Sequence, residues 1–144
     1  MMAEASSSDF IQAPTEGPGP DHIRNVMRTY GERMGAADLP GVLALFHPDA
    51  VIEDPIGTGE KHGHAGIGAF FQAGFDAMQG GILLTLDGAV RVVGRYGAAA
   101  YIARPVNYPV KVEIETLDVM EFDDDGLIVR MTAYWGETNR KVVD

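Results

Sequence analysis

The hydrophobic period changes once along this chain, near residue 81, and nothing else constrains the fold so strongly. Before that point, apolar side chains recur at helical spacing. Ile23, Val26, Met27, Tyr30 and Met34 fall at i, i+3, i+4, i+7 and i+11, one stripe of a helix running to about Ala36, with Asp21 as its candidate cap. Asp38 is placed to cap a second, short helix over LPGVLALF. A short strand is expected over 50–54, ended by Pro55, and a Gly-rich loop over 57–64. A third helix over about 65–78 carries Ile67, Phe70, Phe71, Phe75 and Met78. After residue 81 strand signals follow at 82–86, 89–94, 98–105, 109–122 and 127–136, separated by turns such as Asp87-Gly88 and Asp123-Asp124-Asp125-Gly126. Helices followed by a run of antiparallel strands predict an α+β fold, with the helices packed on one face of a sheet. A sheet of this length curls around its helices and leaves a pocket at one end.

Residues 1–20 hold three Ser, three Pro and two Gly and almost no large apolar side chain. They read as a disordered tail, and 21–144 as a single domain. The first residues carry Glu4 and Asp9 but no Lys or Arg, so no secretory signal is expected. No apolar run approaches the roughly 18 residues of a membrane span. Twenty-one acids against eleven Lys and Arg give a formal charge of −10. That charge argues against nucleic acid and anionic membrane as partners, since both need a basic footprint. The absence of cysteine excludes a disulfide framework, a thiol nucleophile and cysteine-held zinc. The expectation is a soluble, cytoplasmic protein.

The long strand carries the strongest local anomaly. Its even positions, Val112, Ile114, Thr116, Asp118, Met120 and Phe122, share one face, and Asp118 is the single carboxyl on it. An ionised carboxylate buried without a partner is costly, so the group either stays protonated or is satisfied by backbone N–H groups or an arginine. Tyr30 is a lesser anomaly: its ring suits the helical stripe, but a buried hydroxyl needs a partner or a wet edge. Asp54 closes the short strand on the face of Ala50 and Ile52, held extended by Pro55, and is either a base or an ordinary Asp-Pro turn residue. On the last strand Leu127, Val129, Met131, Ala133 and Trp135 form the expected apolar face. With Phe46, Phe70, Phe71, Phe75, Met78 and Met120 they describe either ordinary core or a lining for a flat, apolar ligand.

Three stretches carry a resemblance: RTYGERMGAADLPGVLALFHPDAVIEDPIG, GIGAFFQAGF and TLDVMEFDDDGLIVRMTAYWGETN. Over about residues 21–139 the chain resembles a Δ5-3-ketosteroid isomerase (steroid delta-isomerase) of the NTF2-like, SnoaL-like superfamily. Tyr30 lies 24 residues before Asp54, the spacing of that family, and Asp118 sits in its long strand. The resemblance implies an NTF2-like (cystatin-like) cone: three N-terminal helices in a curved, mostly antiparallel sheet around an apolar pocket. It implies an intramolecular, cofactor-independent and metal-free isomerase of steroid metabolism, working as a homodimer on a 3-oxo-Δ5-steroid or a similar flat apolar molecule. In such enzymes an aspartate moves a proton from C4 to C6 through a dienolate. A tyrosine and a protonated aspartic acid donate to the dienolate oxygen; ketosteroid isomerase is the established example of a carboxylic acid kept neutral for this purpose. Carried over by motif, Asp54 is the base, and Tyr30 and Asp118 are the donors. Phe46, Phe70, Phe71, Met120, Met131 and Trp135 line the slot. Some members carry, at the position of Phe71, a tyrosine that hydrogen-bonds the donor tyrosine, so the network behind Tyr30 is shorter here. Leu117 and Val119, apolar on the charged face of the long strand, fit the implied dimer contact.

Other signals are weaker. His62 and His64 form an HxH pair without a further ligand set for zinc. GTGEKHGHAGIG lacks the ending of a phosphate loop, and no G-x-S-x-G nucleophile motif occurs. Two alternatives stand beside the isomerase. One is a related enzyme, an epoxide hydrolase or polyketide cyclase, in which Arg104 would join Asp54 and Asp118. The other is a binding protein that holds a steroid or another hydrophobic ligand without turnover.

Overall fold

Two helices, two strands and a third helix precede the run of strands that begins at residue 82, where the period changes. The computed structural model describes residues 10–144, and the first nine residues of the expected tail lie outside it. Helix α1 spans Pro20–Gly35, α2 Leu39–Leu43 and α3 Gly63–Ala77. Asp21 does not cap α1. The cap position is Gly19, with φ 103° and no side-chain bond, and Pro20 opens the helix. Proline suits that position, where its missing N–H has no intrahelical partner to lose. Asp21 instead lies in the first turn, 3.6 Å from Arg24. Asp38 does cap α2, its Oδ1 accepting from the Gly41 N–H at 3.0 Å.

Helix α2 ends earlier than its apolar run suggests. Phe46 is already in strand β1 (Phe46–Glu53), paired with Ile128 of the last long strand, and Leu45 accepts the Ile128 N–H at 2.9 Å. Pro48 reinforces the switch by disfavouring helical geometry at His47. The remaining strands are β2 (Lys61–His62), β3 (Ile82–Leu86), β4 (Arg91–Val93), β5 (Tyr96–Pro105), β6 (Val112–Phe122), β7 (Ile128–Tyr134) and β8 (Arg140–Val142). Their order is β2-β1-β7-β6-β5-β3, with β4 also on β5 and β8 also on β6. Among the described residues only β1 and β7 run parallel; the other pairs are antiparallel. β2 and β8 were not expected, being two and three residues long and without apolar alternation.

The helices pack on the concave face, α1 across β3 and β5, and α3 against β1. The α1 stripe is buried as its spacing predicts. Gly31 sets how closely α1 approaches: a Cβ there would collide with the carbonyl oxygen of Leu84 on β3. The absence of a side chain at Gly31 thus lowers Tyr30 onto the sheet.

One strand face needs correction. Ile128, not Leu127 or Val129, is fully buried at the start of β7. The β6–β7 ladder shifts register between Glu121 and Phe122, and such a bulge exchanges the faces on either side of it. Past the bulge Met131 and Ala133 point inward as expected. In the tail, Pro14 and Gly17 lie against Gly94 and Arg95, at the end of β5 away from Ala103. No helix among the described residues is long and apolar enough to cross a membrane.

Candidate active site

The open end of the sheet holds a cavity of about 390 Å³, walled by α1, α3, β3, β5 and β6 and closed at its rim by Asp54 and Trp135. That volume lies within the usual range of about 300–1,000 Å³ for small-molecule sites. Met34, Ala73, Gly74, Met78, Ile82, Leu84, Ala103 and Ile114 supply apolar wall. Its polar groups are few: Tyr30, Asp54, Thr116, Asp118 and Trp135. No arginine, lysine or histidine contributes to the wall among the described residues.

Tyr30, Asp54 and Asp118, from three separate elements, therefore meet at one cavity. Phe70, Phe71 and Trp135 also line it. Phe46, Met120 and Met131 do not. They are buried in the core, with Met120 and Met131 directly paired across β6 and β7. Strand alternation assigns a face but not a depth along the strand, and these residues lie deeper than the cavity floor. Met78, a candidate for the lining, does line it, and so does Met34, which the sequence marks only as part of the helical stripe.

Asp118 is 1% exposed on the inward face of β6. The Thr116 hydroxyl, two residues earlier on the same face, donates to its Oδ1 at 2.9 Å. Burial pushes the Asp118 carboxyl up to about 8, the nearby Asp54 charge adds to the rise, and the Thr116 bond offsets part of it. At neutral pH the group is mostly protonated and has a hydrogen to donate.

Asp54 follows β1 and lies against β7. The indole N–H of Trp135 donates to Asp54 Oδ1 at 2.7 Å. The next turn is tied down as the Ile56 N–H donates to the Ala133 carbonyl at 2.9 Å. Burial raises the Asp54 carboxyl too, but the Trp135 bond and the positive charge of Lys61 pull it back. Burial thus raises both carboxyls; they differ in that the Asp54 charge adds to the rise of Asp118, whereas the Lys61 charge opposes the rise of Asp54.

Tyr30 is 1% exposed. Its ring meets Phe46, Phe71 and Tyr101 at centroid distances of 6.2–6.4 Å. Burial and the two acids raise its phenol well above the ordinary tyrosine range, so it is a neutral donor. Phe71 occupies the neighbouring place where a second phenol is absent. Tyr101 supports α1 instead, donating to the Met27 carbonyl at 2.7 Å.

The remaining candidates lie elsewhere. Arg104 points away from the cavity on β5 and donates from Nε to Glu113 Oε2 at 2.7 Å. His62 lies 3.3 Å from Glu60, and His64 bonds the Phe46 carbonyl at 2.8 Å. Among the described residues no group of three or more His, Asp or Glu is placed to hold a metal ion. The Asp123 side chain accepts the Leu127 N–H at 3.0 Å, closing the hairpin between β6 and β7.

Comparison with known proteins agrees with this fold. A family model described as the SnoaL-like domain matches residues 26–131. The chain is 30% identical over 113 residues to the steroid Delta-isomerase of Nocardioides simplex, covering 78% of this chain and 89% of that protein. It is also 30% identical over 129 residues to the epoxide hydrolase LasB of Streptomyces lasalocidi, covering 81% of this chain but only 42% of LasB. The solved structure of SalBIII, an epoxide hydrolase/cyclase-like enzyme of pyran ring formation in the polyether salinomycin, superposes with a TM-score of 0.75. That match covers 85% of this chain and 98% of the other at 24% identity, a likeness of fold.

Proposed function

This chain belongs to the SnoaL-like domain family, and from that premise we propose that it is a steroid Δ5–Δ4 isomerase. The observation that carries the reading is the meeting of Asp54, Tyr30 and Asp118 in an apolar cavity to whose wall no cation contributes among the described residues. Asp54, ionised, takes a proton from C4 of a 3-oxo-Δ5-steroid, and the released electron pair moves onto the 3-oxygen. Tyr30 and neutral Asp118 donate hydrogen bonds to that oxygen as its charge develops. The Asp54 carboxyl then returns the proton to C6, the C=O bond re-forms, and the double bond ends in conjugation at C4–C5. One carboxyl both takes and gives the proton, so the cycle closes with no other reagent.

The Streptomyces relative keeps epoxide hydrolysis in view. Hydrolases of this fold resemble one another in an Asp–Arg–Asp constellation, and here Arg104 is engaged with Glu113 outside the cavity. Wild-type protein mixed with a Δ5-3-ketosteroid should show rising absorbance of the conjugated enone. Tight binding of planar phenols without any enone would favour the binding-protein reading, and hydration of a polyether epoxide in its place would favour the hydrolase.

The pH profile of kcat has a predicted shape. Asp54 must be ionised, so the rate falls as pH drops through its raised pKa. Asp118 must be protonated, so the rate also falls as pH rises through about 8. A profile with no loss above pH 8 would contradict the donor role of Asp118.

The proposal extends to a homodimer through the outer sheet face. Leu117 and Tyr134 are paired there and remain 43% and 46% exposed. Sedimentation at twice the 15.5 kDa chain mass is the expected result; a monomer at micromolar concentration would remove this part of the proposal.

A further inference from the structure

Thr116 has no role in the chemistry described so far, yet it is the polar side chain that bonds Asp118. Both are buried, on one face of β6 and at the cavity wall. A threonine hydroxyl on an otherwise apolar strand face needs an acceptor, and Asp118 Oδ1 at 2.9 Å supplies it. Among the described residues the Asp118 side chain has no other hydrogen bond to protein. One carboxyl oxygen is therefore committed to accepting from Thr116, and the other is left for the cavity.

Taking the isomerase reading as given, we propose that Thr116 is a positioning residue whose hydroxyl holds Asp118 Oδ1 as acceptor, so that the acidic hydrogen sits on Oδ2 and is aimed into the cavity. The two oxygens of a free carboxylic acid are interchangeable by rotation, and a rotated Asp118 would present an acceptor to the developing oxyanion. A lone-pair-to-lone-pair contact there would repel the charge the site must stabilise. Thr116 opposes that alternative: if Oδ1 carried the proton and donated to the Thr116 oxygen, the threonine's own hydrogen would lose its acceptor on an otherwise apolar face. The same bond favours the ionised form, so it also keeps the acid strong enough to be an effective donor. The other groups that act on Asp118 are Asp54 at the end of β1, Tyr30 on α1 and Tyr101 on β5; among the described residues none of them is hydrogen-bonded to its carboxyl.

The decisive variants are Thr116→Val, which keeps the shape and removes the hydroxyl, and Thr116→Ser, which keeps the hydroxyl. Carbon-13 NMR of aspartate-labelled protein, with Asp118→Asn to assign the signal, follows the Asp118 titration directly. In T116V the Asp118 midpoint should move up by about one pH unit, and T116S should stay near wild type. In turnover, T116V should lose about 5- to 10-fold, in kcat rather than KM, with T116S restoring most of it. The loss should vanish when T116V is added to D118N, since Thr116 is held to act through that carboxyl. An unmoved Asp118 midpoint in folded T116V overturns the proposal, as does an undiminished T116V effect in the D118N background. The titration stands whether or not wild type makes enone, so failure of the isomerase reading and failure of this inference give different results.

Discussion

Asp54→Asn should lower kcat on a Δ5-3-ketosteroid about 10²- to 10⁴-fold, the usual contribution of a positioned general base. The substitution is nearly isosteric. The amide oxygen still accepts from the Trp135 indole N–H, so the rim of the cavity keeps its shape. What disappears is the lone pair that takes the C4 proton. Substrate affinity should change little, because a steroid nucleus is held by the apolar wall of Met34, Phe70, Met78, Ile82 and Leu84. Steady-state kinetics by enone absorbance would measure both constants. Equal kcat for wild type and D54N would remove Asp54 as the base.

Tyr30→Phe should cost about 10²- to 10³-fold in kcat, the range found for loss of one donor to an oxyanion. Phenylalanine keeps the edge contacts with Phe46, Phe71 and Tyr101, so packing is conserved. Only the hydroxyl is lost. Because charge builds on the oxygen in the transition state, the deficit belongs in kcat, with KM nearly unchanged. Thermal unfolding of Y30F should stay close to wild type. A large drop in melting temperature with a proportional loss of active protein would instead identify Tyr30 as structural.

Much of this architecture was legible because burial leaves a period in the sequence. The α1 stripe and the inward face of β6 are read directly from spacing, and Asp118 is conspicuous because it interrupts the second. Asp54 was legible by parity with Ala50 and Ile52, both buried. Depth was not legible. Met120 and Met131 share a face with groups near the site but lie in the core, and no local signal separates the two situations. Partners distant in sequence were also hidden. Trp135 and Asp54 are 81 residues apart and meet only because β1 runs parallel to β7. The bulge that brings Ile128 inward depends on how the hairpin closes, which the apolar pattern of β7 does not record. Thr116 is different. Its spacing of two from Asp118 on a strand was visible, and a polar pair on one apolar face is a signal that deserved weight beside the lone carboxyl.

In the proposed reaction one carboxyl carries a proton from C4 to C6 within an apolar cavity. This transfer is tested most directly with a Δ5-3-ketosteroid deuterated at C4, incubated with wild-type protein in ordinary water and analysed by mass spectrometry and NMR. The expected product is a conjugated enone that retains deuterium at C6. Enone whose C6 hydrogen comes entirely from solvent, or no enone at all, would contradict the proposal.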